Sequence, residues 1–258
     1  MTKVSNITNY LLEKYPLSLA SNFDLGKVGL QFGSMDHEVK KAMIALDGST
    51  QVVEDAIAQD VDLLITHHPF MFNSLLNLNY DNPLTRRVCL VIKNELNVFA
   101  MHTNFDVAIE GMNEILAEIL GLKNVKSDQS EIDNNAFLRY GNITPMPLKE
   151  FVELVKTKFD ESHVRIVGDD NKIIKKVGII GGGGSFDLYK AAFHGCDAFI
   201  TGEIKHNQAL DAIDLGIALV EVSHSVERLF RDKVRKILME KFPDVTFIYS
   251  EKDINPFH

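Results

Sequence analysis

Short apolar runs of strand length alternate with stretches of helical period along almost the whole chain, and this alternation admits few folds. In the amino-terminal half, strands are expected near residues 42–47, 62–66 and 98–102, with helices near 51–59 and 84–95 between them. A further helix near 112–120 is stopped by Gly121, a residue suited to a left-handed cap. Residues 137–140, 148–159 and 164–167 read as strand, helix and strand. The carboxyl-terminal half offers strands near 176–180, 198–201 and 218–222, joined by helices near 186–193 and 207–215. A long helix near 225–241 and a strand at 246–249 close it. Strands separated by helices pair in parallel, so the expected class is α/β.

The two halves echo each other, and a fold-level duplication is expected. Each has three strands with polar residues just past their ends: Asp47, His67-His68-Pro69 and His102 in one, Gly181–Ser185, Gly202-Glu203 and Ser223-His224 in the other. Ligands of open α/β sheets gather at such strand ends. The polar stretch 123–135 is the best linker, which divides the chain into lobes 1–125 and 126–258.

Composition narrows the class of function. Of the 258 residues, 45% are apolar and 24% charged, as in ordinary globular proteins. No apolar run reaches the ~20 residues of a spanning helix, and the first residues lack a signal peptide's pattern, so the cytoplasm is expected. A net charge of −9 argues against nucleic acid as a partner, and the basic run 228–236 reads as a solvated helix face. Two cysteines, Cys89 and Cys196, are expected as buried thiols and are too few for a Cys-rich zinc site. Any metal must be held by His, Asp and Glu, which suits an open site.

The candidates for that role stand at strand ends. Pro69 ends the run 61–65, so His67 and His68 can turn to one point and offer two imidazoles to a divalent metal. Asp106, four residues after His102, adds a carboxylate or else serves as a cap; His102 can orient a ligand. His224 and Glu227, at i and i+3, share a helix face, though Ser223 or Ser225 with Glu227 also reads as a capping arrangement. Glu203 reads as a general base, an orienting carboxylate or a plain turn residue, with His206 close by. The run Gly181–Gly184 fails the P-loop and dinucleotide patterns and supports only a tight turn with exposed amides. Taken jointly, His67, His68, Asp106, His224 and Glu227 would suit two metals, with Glu227 bridging.

The order of motifs resembles the NIF3-like family, whose bacterial members are often labelled GTP cyclohydrolase 1 type 2 homologs. The resemblance runs through Gly29-Leu-Gln-Phe-Gly33, Ile44-Ala-Leu-Asp47, Leu64-Ile-Thr-His-His-Pro-Phe70, His102-Thr-Asn-Phe-Asp106, Asp197-Ala-Phe-Ile-Thr-Gly-Glu203 and His224-Ser-Val-Glu227. It implies two α/β lobes with a dinuclear metal site in the cleft between them, and assembly as a toroidal homohexamer. The ligands it implies are His67, His68, Asp106, His224 and Glu227. The chain is short for the family, which implies that the extra middle domain of longer members is missing. Two departures stand out. The last His and Glu are three residues apart where many members have four, and Asn207 stands where some carry a histidine. The function implied is a metal-dependent hydrolase of a small nucleotide-like or phosphorylated substrate, using two divalent ions (zinc, iron, manganese or nickel). Glu203 and His102 would be its proton-handling residues. The alternative is a non-catalytic metal-binding regulator, chaperone or scaffold.

Overall fold

The computed structural model describes residues 1–128 and 136–257. It divides into one unit of Met1–Phe105 with Arg228–Pro256 and another of Asp106–Glu227. In chain order, the first unit contributes α1 (Val4–Lys14), β1 (Gly29–Phe32), β2 (Lys41–Ala45), α2 (Thr50–Ala58), β3 (Leu63–Thr66), α3 (Pro83–Lys93) and β4 (Asn97–Ala100). The short helix α4 (Thr103–Asp106) carries the chain over the boundary. The second unit holds α5 (Met112–Leu120), β5 (Lys123–Ser127), β6 (Arg139–Pro147), α6 (Leu148–Phe159), β7 (Arg165–Val167) and β8 (Ile173–Ile179). It continues with α7 (Leu188–Phe193), β9 (Ala198–Thr201), α8 (His206–Leu215) and β10 (Ala218–Glu221). The chain then returns to the first unit as α9 (Leu229–Lys241) and β11 (Thr246–Tyr249).

The first unit's sheet runs β1-β4-β3-β2-β11, with only β1 antiparallel to its neighbour. Every residue of β3 and β4 is buried, as expected of parallel strands covered on both faces. Local signals set the helices: Ser49 caps α2 through Val52 N, and Asn82 with Pro83 opens α3. The second sheet runs β5-β6-β8-β9-β10-β7, with a parallel centre of β8, β9 and β10. α5 stops where Gly121 takes a φ of +83°, as expected.

The division differs from the expected lobes 1–125 and 126–258. β11 lies beside β2 and α9 packs on that same sheet, so the chain's last segment completes the first unit. The stretch expected as a linker begins instead with β5, and its residues 129–135 lie outside the described residues. β5 is an edge strand whose Lys123 and Lys126 make it polar; charge on an edge guards against further pairing and hides the strand signal. α1 and β1 are likewise additions to the expected elements.

The expected duplication appears as one repeated hydrogen-bond pattern. Asp62 Oδ2 accepts from the backbone of Lys40 and Lys41, at 2.8 and 2.9 Å, and Asp62 O accepts from Asn97 N. Asp197 Oδ2 accepts from Lys175 and Lys176, both at 2.9 Å, and Asp197 O accepts from Ala218 N. In each unit the ammonium of the second lysine caps the end of the helix that follows its strand, on Gln59 O in one and His194 O in the other. The same arrangement fixes the register of β2 on β3 and of β8 on β9.

Candidate metal centre

In the first unit, the parallel strands β2, β3 and β4 deliver Asp47, the pair His67-His68 and His102 to one edge of the sheet. His67 N and His68 N donate to Ala45 O and Leu46 O, and Thr66 Oγ1 donates to His68 O. These bonds hold the turn in which both rings leave the strand. Ring centroids lie 5.0 Å apart for His67 and His68, 5.4 Å for His67 and His102, and 5.6 Å for His68 and His102. Each ring offers one nitrogen within 4.8 Å of the others, a group able to hold a metal ion. His67 is fully buried, with Phe105 and Phe230 at centroid distances of 6.1 and 5.2 Å.

Carboxylates orient the other two rings. Asp47 Oδ1 is 2.8 Å from His68 Nδ1, and Asp24 Oδ2 is 2.7 Å from His102 Nδ1. Asp24 is wholly buried and also accepts from Thr103 N and Oγ1. Burial alone would raise its pKa, but the hydrogen bonds from His102 and Thr103 outweigh that and hold the carboxyl below its usual range. An ionised carboxylate only accepts, so His102 donates from Nδ1 and keeps the Nε2 lone pair for a ligand. Spacing alone suggests His102 as a residue that orients Asp106; the structure sets it beside His67 and His68.

In the second unit, β8, β9 and β10 end at the glycine run, at Gly202-Glu203 and at Ser223-His224. His224 and Glu227 lie not in the long helix expected at 225–241 but in a 3-10 turn, His224–Arg228, ahead of α9. Three residues per turn bring positions i and i+3 onto one line. His224 Nε2 accordingly lies 3.1 Å from Glu227 Oε2, while His224 Nδ1 is 2.6 Å from Glu203 Oε1. Glu203 has a φ of +55°, a conformation non-glycine residues rarely adopt. Asp106 and Glu227, both nearly closed to solvent, offer carboxylate oxygens within 4.8 Å of each other. Asn113 ties Asp106 to the glycine run: its Nδ2 donates to Asp106 O and its Oδ1 accepts from Gly181 N.

The glycine run serves this cluster through its lack of side chains. A Cβ on Gly182 would stand 2.6 Å from Glu227 Oε1 and 3.0 Å from His224 Nε2, and one on Gly183 would stand 3.1 Å from Glu203 Oε2. The backbone passes so close to Glu227 that a side chain on Gly182 would push the carboxylate from its place, and its φ of +55° also favours glycine. His206 opens α8, is exposed, and makes no hydrogen bond to a candidate ligand among the described residues. Asp24 carried no sequence signal at all, because nothing in its local pattern ties it to a histidine 78 positions away.

The donor chemistry of both clusters fits a divalent metal. Imidazole nitrogens and carboxylate oxygens are borderline-to-hard donors that zinc, iron, manganese and nickel all accept. Carboxylates behind His68, His102 and His224 supply the orientation that metal-bound imidazoles need.

Known proteins resemble this chain in sequence and in fold. The family model described as Duf34/NIF3 (NGG1p interacting factor 3) matches residues 2–256. A GTP cyclohydrolase 1 type 2 homolog of Clostridium perfringens is 32% identical over 260 residues, covering 99% of this chain and 98% of its own. The homolog of that name from Bacillus subtilis is 26% identical over 343 aligned positions, 90% of this chain and 92% of its own, so it carries residues that this chain lacks. In fold, the chain resembles a Bacillus cereus protein related to NIF3 with a TM-score of 0.91 at 24% identity, over 100% of this chain and 99% of that one.

Proposed function

The chain belongs to the Duf34/NIF3 family, and on that premise we propose that it is a metal-dependent hydrolase of a small nucleotide-like or phosphorylated substrate. Its centre would be dinuclear, with His67, His68, Asp106, His224 and Glu227 as ligands and Glu227 as the bridge. The observation that carries this reading is the convergence of imidazole nitrogens and carboxylate oxygens within 4.8 Å in groups able to hold a metal ion, with a carboxylate orienting each of His68, His102 and His224.

Bound there, divalent ions would lower the pKa of a water and polarise the bond to be cleaved. The chain's own residues do the rest. Asp47, Asp24 and Glu203 fix the ring tautomers of His68, His102 and His224. His102, with Nδ1 committed to Asp24, can exchange a proton only through Nε2. Glu203, whose side chain is 64% exposed, is also placed to take up or release a proton at the solvent side of the centre. Phe105 and Phe230 exclude water from the back of His67.

Elemental analysis of purified protein is the test, expected to return about two divalent ions per chain. His68→Ala is expected to lose at least one of them and at least about 100-fold in turnover on a panel of nucleotides and phosphoesters. A metal-loaded chain that turns over nothing on that panel is a binding protein and not a hydrolase. A chain that stays metal-free after reconstitution overturns the centre itself. By the same family resemblance we propose a homo-oligomer, a ring of six copies, whose test belongs to the whole molecule below.

A further inference from the structure

Beside the imidazole cluster, the first unit carries an open cavity of about 690 Å³, a size typical of small-molecule sites. His68, Asp47, Arg87, Phe70 and Phe72 line it. His68 thus belongs to both the imidazole cluster and the cavity wall, so a ligand filling the cavity has one end at the candidate metal centre.

Arg87, on α3, is the unusual part of this wall. Its guanidinium carbon lies 4.5 Å from the centroid of the Phe70 ring, and Nη2 donates to Phe70 O at 3.1 Å. Stacking and this one bond fix the plane of the fork. Nε is buried and has no hydrogen-bond partner, and no carboxylate lies within ion-pair distance of the group among the described residues. Burial pulls the guanidinium's pKa down and the charge of Asp47 partly restores it. The two carboxylates on the cavity wall are already engaged. Asp47 holds His68, and Asp253 accepts from Leu46 N and from Arg231. A fixed, half-buried cation with unspent donors is costly unless an anion joins it, and Lys252 adds a second cation to the same wall.

We propose that this cavity takes an oxyanionic group of the substrate, phosphoryl or carboxylate, on the fork of Arg87. The rest of the substrate lies along Phe70 and Phe72, with its reacting end at His68. Only this last direction rests on the metal-site reading. Oxyanion binding by Arg87 stands on the cavity alone. Arg87 is thereby a specificity-determining residue for substrates that carry such a group.

The test uses inorganic phosphate and acetate as probes of the intact chain. Phenylglyoxal modification of Arg87, followed by peptide mass spectrometry, is expected to slow at least about fivefold in millimolar phosphate. Arg87→Gln is expected to weaken phosphate binding about tenfold by calorimetry, and Arg87→Lys to restore only part of it, since an ammonium cannot reproduce the fork. Protection by phosphate alone assigns a phosphoryl group; protection by acetate as well extends the site to carboxylates. Absence of protection by either overturns the inference, as does an Arg87→Gln protein that binds phosphate like the original. Should that variant not fold, the protection measurement on the unaltered chain decides. Metal content of the same samples separates the two readings. Protected Arg87 in a chain that binds no metal sustains the oxyanion site and removes the metal centre, and a metal-loaded chain with unprotected Arg87 does the reverse.

Discussion

Gly182 shows how a single residue with no functional atoms can shape a candidate metal site. Two constraints meet there: a φ of +55°, and a backbone so close to Glu227 that a methyl group would stand 2.6 Å from its carboxylate. Gly182→Ala is expected to cost about 1–2 kcal/mol through the left-handed backbone alone. Displacement of Glu227 is expected as an additional loss of bound metal. Gly121→Ala separates the two effects, because Gly121 has a φ of +83° with nothing within 4 Å of the added carbon. Thermal melts should show both variants destabilised, while elemental analysis should show metal lost only from Gly182→Ala. Equal metal content in the two would mean that the close approach to Glu227 has no bearing on binding. At this scale the sequence was most legible where chemistry is carried by a visible residue type. The pair His67-His68 stands out by residue type, whereas His224 and Glu227 also read as a helix cap; Asp24 and the service of Gly182 depend on contacts between distant segments, which spacing does not encode. Cys196 was legible by composition: it is a buried free thiol, its pKa pushed up to about 12 by burial.

Among the elements, legibility followed burial. α5, α6, β9 and β11 lie within the boundaries expected from the sequence, because each couples an apolar pattern to a clear stop. β5 escaped notice because an edge strand is selected to be polar, and α9 lost its first turn to a 3-10 segment that hydrophobic period does not distinguish. The repeated aspartate is the element-scale feature with a measurable consequence. Asp62 and Asp197 each accept two backbone N–H groups at the start of a buried parallel strand, and charged acceptors of this kind contribute more than neutral ones. Asp62→Ala and Asp197→Ala are each expected to lower stability by about 2 kcal/mol in denaturant melts. Both side chains are half-buried, so the figure stays near the lower part of the range for charged acceptors. Near-equal losses would mark the two sites as energetic equivalents; a neutral result at either would reduce the duplication to a likeness of shape.

For the whole molecule, the question is what its exposed apolar surface is for. In the second unit, Phe193 on α7 is 86% exposed and Ile213 on α8 is 62% exposed, with Tyr189 and Leu210 also open on the same two helices. α7 and α8 pack on each other, so these side chains belong to neighbouring elements of one unit. Isolated exposed apolar residues are ordinary, but several large ones on adjacent helices are the usual mark of a surface that is covered in the working protein. A net charge of −9 on each chain opposes random association, so coverage has to come from a specific and mainly apolar interface. A second copy of the chain satisfies that requirement and accords with the proposed ring. Light scattering after size exclusion is therefore expected to find the unaltered protein as an oligomer, and Phe193→Asp with Ile213→Asp to shift it to smaller species. The aspartates stand where the native side chains are already open to solvent, so the altered chain should keep its fold by circular dichroism. A double variant that retains the full assembly would place the contacts between copies elsewhere on the molecule, and a monomeric unaltered protein would remove the ring altogether.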